Sequence, residues 1–207
     1  MIRYLYGTDL ADHGDLAAQM FRDRAAQFRD RMGWDVHVDA LGWETDQYDG
    51  CDPLYVIAED AAGRHAGSMR FLPTTGPHML AEVFPHLMPQ PVMAADTWEC
   101  TRFCLSPGAD AAVARRLLLA ASELGLGLGL RACLGVFDRP MVRVYRRLGW
   151  SPEVLGSADG ISAGRWTFDV ARHDALCAAA CVSARQSRHW WDVTFGDLLP
   201  APLPVRA

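Results

Sequence analysis

Three groups of residues carry chemistry in their types and spacing: Arg24, Phe28 and Trp34; Asp46 and Asp49; Arg70, Glu99 and Arg102. A guanidinium grips a carboxylate through two parallel hydrogen bonds, and an aromatic face attracts a cation. Arginines alternating with rings therefore suit a ligand that carries a carboxylate together with an adenine or a sulfonium. A carboxyl group such as Glu99 supplies the proton acceptor that acyl or methyl transfer needs, and fixed donors stabilise the charge that develops. The same residues also read as a core stripe, Phe28 and Met32, flanked by solvated arginines, and as a structural salt-bridge network. A charged residue set between apolar strand positions is costly to bury unpaired, so Arg102 calls for Asp46 or Asp49, and Arg70 calls for a carboxylate as well.

Glu99 and Arg102 fall in the segment TWECTRFCL, Thr97 to Leu105, which is dense in strand formers. Regular alternation puts Glu99, Thr101 and Phe103 on one face and Trp98, Cys100, Arg102 and Cys104 on the other. Either a β-bulge brings Glu99 and Arg102 to one site, or the two serve different parts of it.

The elements that must position these groups follow from periodicity. Apolar residues from Leu16 to Met32 recur at helical spacing up to Gly33, and a loop of about twenty residues, carrying Trp43, Glu44, Asp46, Tyr48 and Asp49, leads to Pro53. Pro53 to Glu59 and His65 to Leu72 flank the turn residues Asp60 to Gly63 as a hairpin. A short helix spans Met79 to Phe84. After the Thr97 strand come a helix from Asp110 to Leu124, a strand from Ala132 to Phe137, a helix from Arg139 to Leu148, a strand from Arg165 to Val170 and a helix from Ala171 to about Arg185. The run Gly125 to Leu130 follows a helix and precedes a strand, the reverse of a dinucleotide-binding loop, and reads as a helix end packed closely through its glycines. This order predicts one α/β domain over residues 1–207, with a core to about 170, a C-terminal helix and a tail that frays from Leu198.

Composition narrows the chemistry. All 20 basic residues of the 207 are arginine, so no lysine can serve as base, Schiff base or phosphate ligand. The absence of Asn excludes N-glycosylation and a Cys-His-Asn nucleophile. A net charge of −5 argues against a nucleic-acid partner. No apolar run reaches the length of a membrane span and no secretory leader is evident, which predicts a soluble, cytoplasmic protein. Without a secretory signal the six cysteines are expected to be reduced, and Cys100-x3-Cys104 and Cys177-x3-Cys181 lack the paired ligands of a metal site.

Taken in order, Arg24-x3-Phe28-x5-Trp34, Asp46-x2-Asp49, Arg70-Phe71, Phe84, Glu99-x2-Arg102 and Arg147-x-Gly149-Trp150 resemble the acyl-homoserine-lactone (autoinducer) synthase family of bacterial quorum sensing, LuxI type, over roughly residues 1–170. The resemblance implies an αβα sandwich with a mixed, mostly antiparallel, splayed sheet, similar to GCN5-type N-acetyltransferases. It also implies a reaction. The amine of S-adenosylmethionine attacks an acyl thioester, and the methionyl carboxylate then closes the lactone with release of methylthioadenosine. S-adenosylmethionine is a substrate, and no cofactor or metal is expected.

On this resemblance Glu99 is the acid/base group, directly or through water, and Arg70 and Arg102 belong to the catalytic charged network. Arg24, Phe28, Trp34, Asp46, Asp49 and Phe84 form the S-adenosylmethionine site, while Trp98, Phe103, Phe137 and Met141 line the acyl pocket. Phe137-Asp138 stands where family members often carry small or hydroxylated residues, which weakens a 3-oxoacyl preference. The acyl donor is acyl-carrier protein or acyl-CoA, with Arg115, Arg116, Arg139, Arg143, Arg146 and Arg147 available as a docking patch for an acidic carrier. Three alternatives stand beside this one. Cys100 could form an acyl-enzyme, although its parity is opposite to that of Glu99. The scaffold could be an N-acetyltransferase using acetyl-CoA, although Ser106 to Asp110 does not match the pyrophosphate loop of those enzymes. Or it could bind S-adenosylmethionine without turnover.

Overall fold

The computed structural model describes residues 1–196 and is built on one seven-stranded sheet in the order β1-β2-β3-β4-β5-β7-β6. The strands are β1 (Ile2–Tyr6), β2 (Leu54–Glu59), β3 (His65–Pro73), β4 (Thr97–Leu105), β5 (Ala132–Asp138), β6 (Glu153–Ala158) and β7 (Ile161–Thr167). Only β4 and β5 run parallel; every other neighbouring pair is antiparallel. Mixed pairing with helices on both faces is the sandwich that the element order predicts.

Strand alternation divides the core in two. Leu54, Val56 and Ala58 of β2, with Met69 and Phe71 of β3, face the large cluster under α3 (Ala111–Gly127), α4 (Met141–Leu148), α5 (Val170–Ala180) and α6 (Ala184–Phe195). Tyr55 and Ile57 point the other way, against Leu16, Ala17, Met20 and Phe21 of α1 (Gly14–Ala25). That second face carries the charged residues. Helix α1 continues as a π-helical segment, Ala26–Arg31, and ends at Gly33, whose φ of +68° suits glycine.

The C-terminal third departs from the expected elements. The final strand starts at Ile161 and ends at Thr167, and it forms a hairpin with β6, for which the sequence offers no alternating apolar pattern because β6 is a largely exposed edge strand. The single helix expected from Ala171 to Arg185 is two helices, broken at Cys181, which adopts a left-handed φ of +53°, with Ser183 capping the second through the Gln186 amide. The tail expected to fray from Leu198 lies outside the described residues. Glycine packing at the end of α3 is close, as expected: a Cβ on Gly127 would sit 2.5 Å from Trp191.

The feature that matters for the site lies between β4 and β5. They pair for three residues only, Thr97 with Ala132, Trp98 with Cys133 and Glu99 with Leu134, and then diverge. The sheet therefore opens as a wedge whose closed end lies beside Glu99.

Candidate active site

Residues from four segments converge on the α1 face of the sheet. Arg24, on the last turn of α1, is buried to 1% exposure. Its Nε donates to Glu44 Oε2 at 2.6 Å, and its two terminal nitrogens donate to the two oxygens of Asp49 at 2.9 Å each. Arg70, on β3 and fully buried, donates to both oxygens of Asp46 at 2.5 and 2.8 Å, to Asp49 Oδ1 at 2.8 Å and to Thr101 Oγ1 at 3.0 Å. Arg102 donates to Glu44 through Nη2 at 2.8 Å and reaches Asp46 Oδ2 at the same distance. Three arginines and three carboxylates thus interlock, each carboxylate shared between two guanidinium groups.

The acids come from the loop that the sequence leaves without periodicity. Residues Val38 and Glu44 form an isolated antiparallel bridge, and Gln47–Cys51 is a 3-10 turn capped by Asp46, which accepts from the Tyr48 amide at 2.9 Å. Asp49 accepts from the Asp46 amide at 2.8 Å and from the Tyr55 hydroxyl at 2.6 Å. Burial pushes Asp49 and Asp46 up, but Arg24 and Arg70 at Asp49, and Arg70 and Arg102 at Asp46, outweigh it and hold both below the usual carboxylate range. Burial likewise works against Arg24, and Asp49 with Glu44 reverse the sign, so its proton is held more tightly than in water.

A β-bulge resolves the parity of β4. Ser68 pairs with Cys104 and Arg70 with Thr101, so two steps on β3 oppose three on β4, and Arg102 takes a left-handed φ of +52°. Thr101 and Arg102 consequently project to the same face, and alternation is inverted beyond them. Phe103, expected on the face of Glu99, instead packs with Trp98 and Cys100 against the α3–α4 side. Cys104, expected opposite Glu99, instead lies on the α1 face, its thiol near the Asp23 carbonyl and pushed up to about 12, chiefly by burial.

Glu99 is fully buried and separate from the arginine cluster. Its oxygens accept from the Met79 and Leu80 amides, at 2.8 and 2.6 Å, at the start of the short helix α2 (Met79–Glu82). Burial raises its pKa, and the two amides offset this in part. Each oxygen keeps a second lone pair.

Two cavities meet here. One of about 450 Å³ is bounded by Asp35 to His37, Glu44 to Tyr48, Met79, Val83 and Arg102. The other, of about 920 Å³ and largely apolar, fills the wedge between β4 and β5. Phe28, Trp34, Phe84, Phe103, Phe137 and Met141 all line the larger one, with Phe28 and Trp34 stacked at 5.2 Å and the Arg102 guanidinium 5.4 Å over the Phe28 ring. Met79 and Arg102 line both. Asp46 lines the smaller. Arg24, Asp49 and Glu99 line neither and stand behind the walls.

Trp98 corrects its assignment to the acyl pocket. It sits on the paired part of β4, opposite Cys133, before the strands separate, and its ring packs into the core. Arg102 pairs with Asp46, one of its two expected partners, and with Glu44 in addition. Glu44, Tyr48, Tyr55 and Thr101 are missing from the sequence-based site. The signal for Glu44 was its place in the same acid-bearing loop as Asp46 and Asp49.

A family model described as autoinducer synthase matches residues 8–172. The chain belongs to the autoinducer synthase family. An acyl-homoserine-lactone synthase of Rhizobium etli is 48% identical over 145 residues, covering 66% of this chain and 68% of that protein. The structure of a CoA-dependent acyl-homoserine lactone synthase, MesI, superposes with a TM-score of 0.78 at 28% identity, over 89% of this chain and 97% of the other. The synthase is thus an acyltransferase, as the ordered motifs implied. A putative N-acetyltransferase from Lactobacillus plantarum, 17% identical with a TM-score of 0.54 over 81% of this chain and 98% of that one, shares the fold. Among the described residues of the synthase no helix is long and apolar enough to cross a membrane, and no cluster of three or more potential ligands could hold a metal.

Proposed function

We propose that the protein acylates the amine of S-adenosylmethionine from an acyl thioester and closes the homoserine lactone with release of methylthioadenosine, without a cofactor. The observation that carries this reading is that a smaller cavity edged by Glu44, Asp46 and Arg102 and a larger apolar wedge share Met79 and Arg102 as wall residues. A charged, amine-bearing substrate and an acyl chain need opposite environments that share one point of contact.

In this reading the carboxylate-bearing substrate occupies the polar side, next to Asp46 and Arg102, and the stacked pair Phe28–Trp34 offers its sulfonium an aromatic face. Arg24, Arg70 and Asp49 act from behind the wall by holding the loop and the Arg102 fork in place. Glu99 takes the proton of the attacking amine through water, because its carboxyl stands outside both cavities and its raised pKa favours proton acceptance. Phe103, Phe137 and Met141 hold the acyl chain.

The donor is acyl-CoA or an acyl-carrier protein. CoA dependence of the relative at 28% identity supports the first. Arg139, Arg143, Arg146 and Arg147, exposed at and beside α4 with no ion pair among the described residues, support docking of an acidic carrier. Incubating the protein with S-adenosylmethionine and a panel of both thioester types tests the reading. The expected products, read by mass spectrometry, are an acyl-homoserine lactone and methylthioadenosine in equal amounts. Folded protein that releases neither from the whole panel would falsify it.

A further inference from the structure

We propose that Glu82 is a positioning residue for acyl transfer: by accepting a hydrogen bond from Tyr48 it clamps the short helix α2 to the acid-bearing loop and so fixes the Glu99 carboxylate relative to the substrate cavity. This role rests on the acyl-transfer reading above, with Glu99 as its proton acceptor.

Helix α2 is four residues long, and His78 at its start makes no side-chain cap bond. One turn of helix does not hold itself in water, so its place depends on what anchors it. At its start Glu99 accepts from the Met79 and Leu80 amides. In its middle Leu80 is buried with Leu87, Leu134 and Ala163. At its end Glu82 Oε2 accepts from the Tyr48 hydroxyl at 2.8 Å. The first two anchors bind α2 to the sheet, and the third ties it to the loop.

Tyr48 is a stiff partner. It is buried to 1% exposure, its amide donates to Asp46 Oδ1 at 2.9 Å, and the Arg70 guanidinium lies 5.6 Å over its ring. A run of contacts therefore passes from the arginine cluster through Asp46, Tyr48 and Glu82 to the amides that hold Glu99. It encloses the smaller cavity, which Asp46 and Tyr48 line from the loop and Met79 and Val83 line from α2 and its end. Glu82 itself lines neither cavity, and its carboxylate bonds to Tyr48 rather than to a cation, so it acts through α2 and not on substrate.

The clamp persists across neutral pH. Burial, and after it the Glu82 hydrogen bond, raise the Tyr48 phenol, which stays protonated and remains a donor; the Glu99 charge acts on the same phenol, which places the clamp close to the carboxylate it positions. For Glu99 the consequence has a sign. Burial raises its pKa, whereas the Met79 and Leu80 amides, His78 and Arg70 lower it. Freeing α2 weakens the two amide bonds while Arg70 stays fixed by Asp46 and Asp49, so the Glu99 pKa climbs further.

The test is a kinetic comparison at Glu82, using S-adenosylmethionine and an acyl thioester that the wild type turns over. Glu82→Ala should lower kcat by about 30-fold, leave KM for S-adenosylmethionine within about 2-fold, and move the acid limb of the kcat–pH profile upward by about one unit. Glu82→Gln, whose side-chain carbonyl still accepts from the phenol, should stay within about 3-fold of wild type at every pH. Tyr48→Phe keeps the buried ring, should reproduce the alanine profile, and carries the test if Glu82→Ala melts early; the double variant should lose nothing more. An unchanged kcat, a loss with the pH profile unmoved, a loss confined to KM, or Glu82→Gln as impaired as Glu82→Ala overturns the role. Wild-type protein that turns over no thioester from a broad panel overturns the acyl-transfer reading itself, whereas an active wild type with unaffected variants overturns the clamp alone.

Discussion

Arg24 and Arg70 show why residue type matters more than charge in this site. Arg24 makes three hydrogen bonds and Arg70 four, in forks that a lysine ammonium, a point charge on a flexible stem, cannot reproduce. Replacing Arg70 by Lys should leave Asp49 or Asp46 underpaired in a buried setting, and Arg70→Ala should cost about 3–5 kcal/mol of stability by chemical denaturation. At exposed Arg143, Arg146 and Arg147 the change to Lys should fall within about 0.5 kcal/mol. The residues of this cluster were legible in their spacing, as were the arginine–carboxylate pairs. The identity of each partner was not, because Glu44 lies 58 positions from Arg102 and meets it only through the tertiary fold.

At the scale of elements, the bulge on β4 and the parting of β4 from β5 shape the site. An extra residue on β4 turns Arg102 toward Glu44 and sends Phe103 into the wedge. Deleting Arg102 should restore simple alternation with Phe103 kept on the wedge side, remove a partner of Glu44 and Asp46, and abolish activity even where the sheet still forms; circular dichroism alongside the product assay checks this. The end of α3 makes a second demand. Gly127→Ala would drive a methyl group into Trp191 and should cost about 1–3 kcal/mol, read as a lower melting temperature. The strands Thr97–Leu105 and Ala132–Asp138 and the helix capped by Asp110 were readable because their residues repeat at the period of their own structure. The exposed edge strand β6 and the break at Cys181 were not, since neither depends on a local apolar pattern.

For the whole molecule, the buried charges tie stability to pH with opposite signs. The folded pKa values of Asp46 and Asp49 are depressed, so the stability they confer is present in full above their unfolded value of 3.8 and is lost as pH falls toward and through the folded values. Glu99 is raised, so its ionisation disfavours the fold: stability is highest below its unfolded value of 4.5 and declines as pH rises through the folded value. Urea midpoints measured from about pH 7 to about pH 3 should fall steeply at the acid end for wild type and less steeply for Asp49→Asn. The sequence alone established the family motifs, the sandwich class and the set of arginines and acids, because these follow from residue type, period and order along the chain. The tertiary structure decided that Glu44 completes the charge balance, that Trp98 stays in the core, and that two cavities meet at Met79 and Arg102. Each of these depends on where two strands stop pairing and on one inserted residue, and hydrogen-bond register between distant segments leaves no local trace in the amino-acid order.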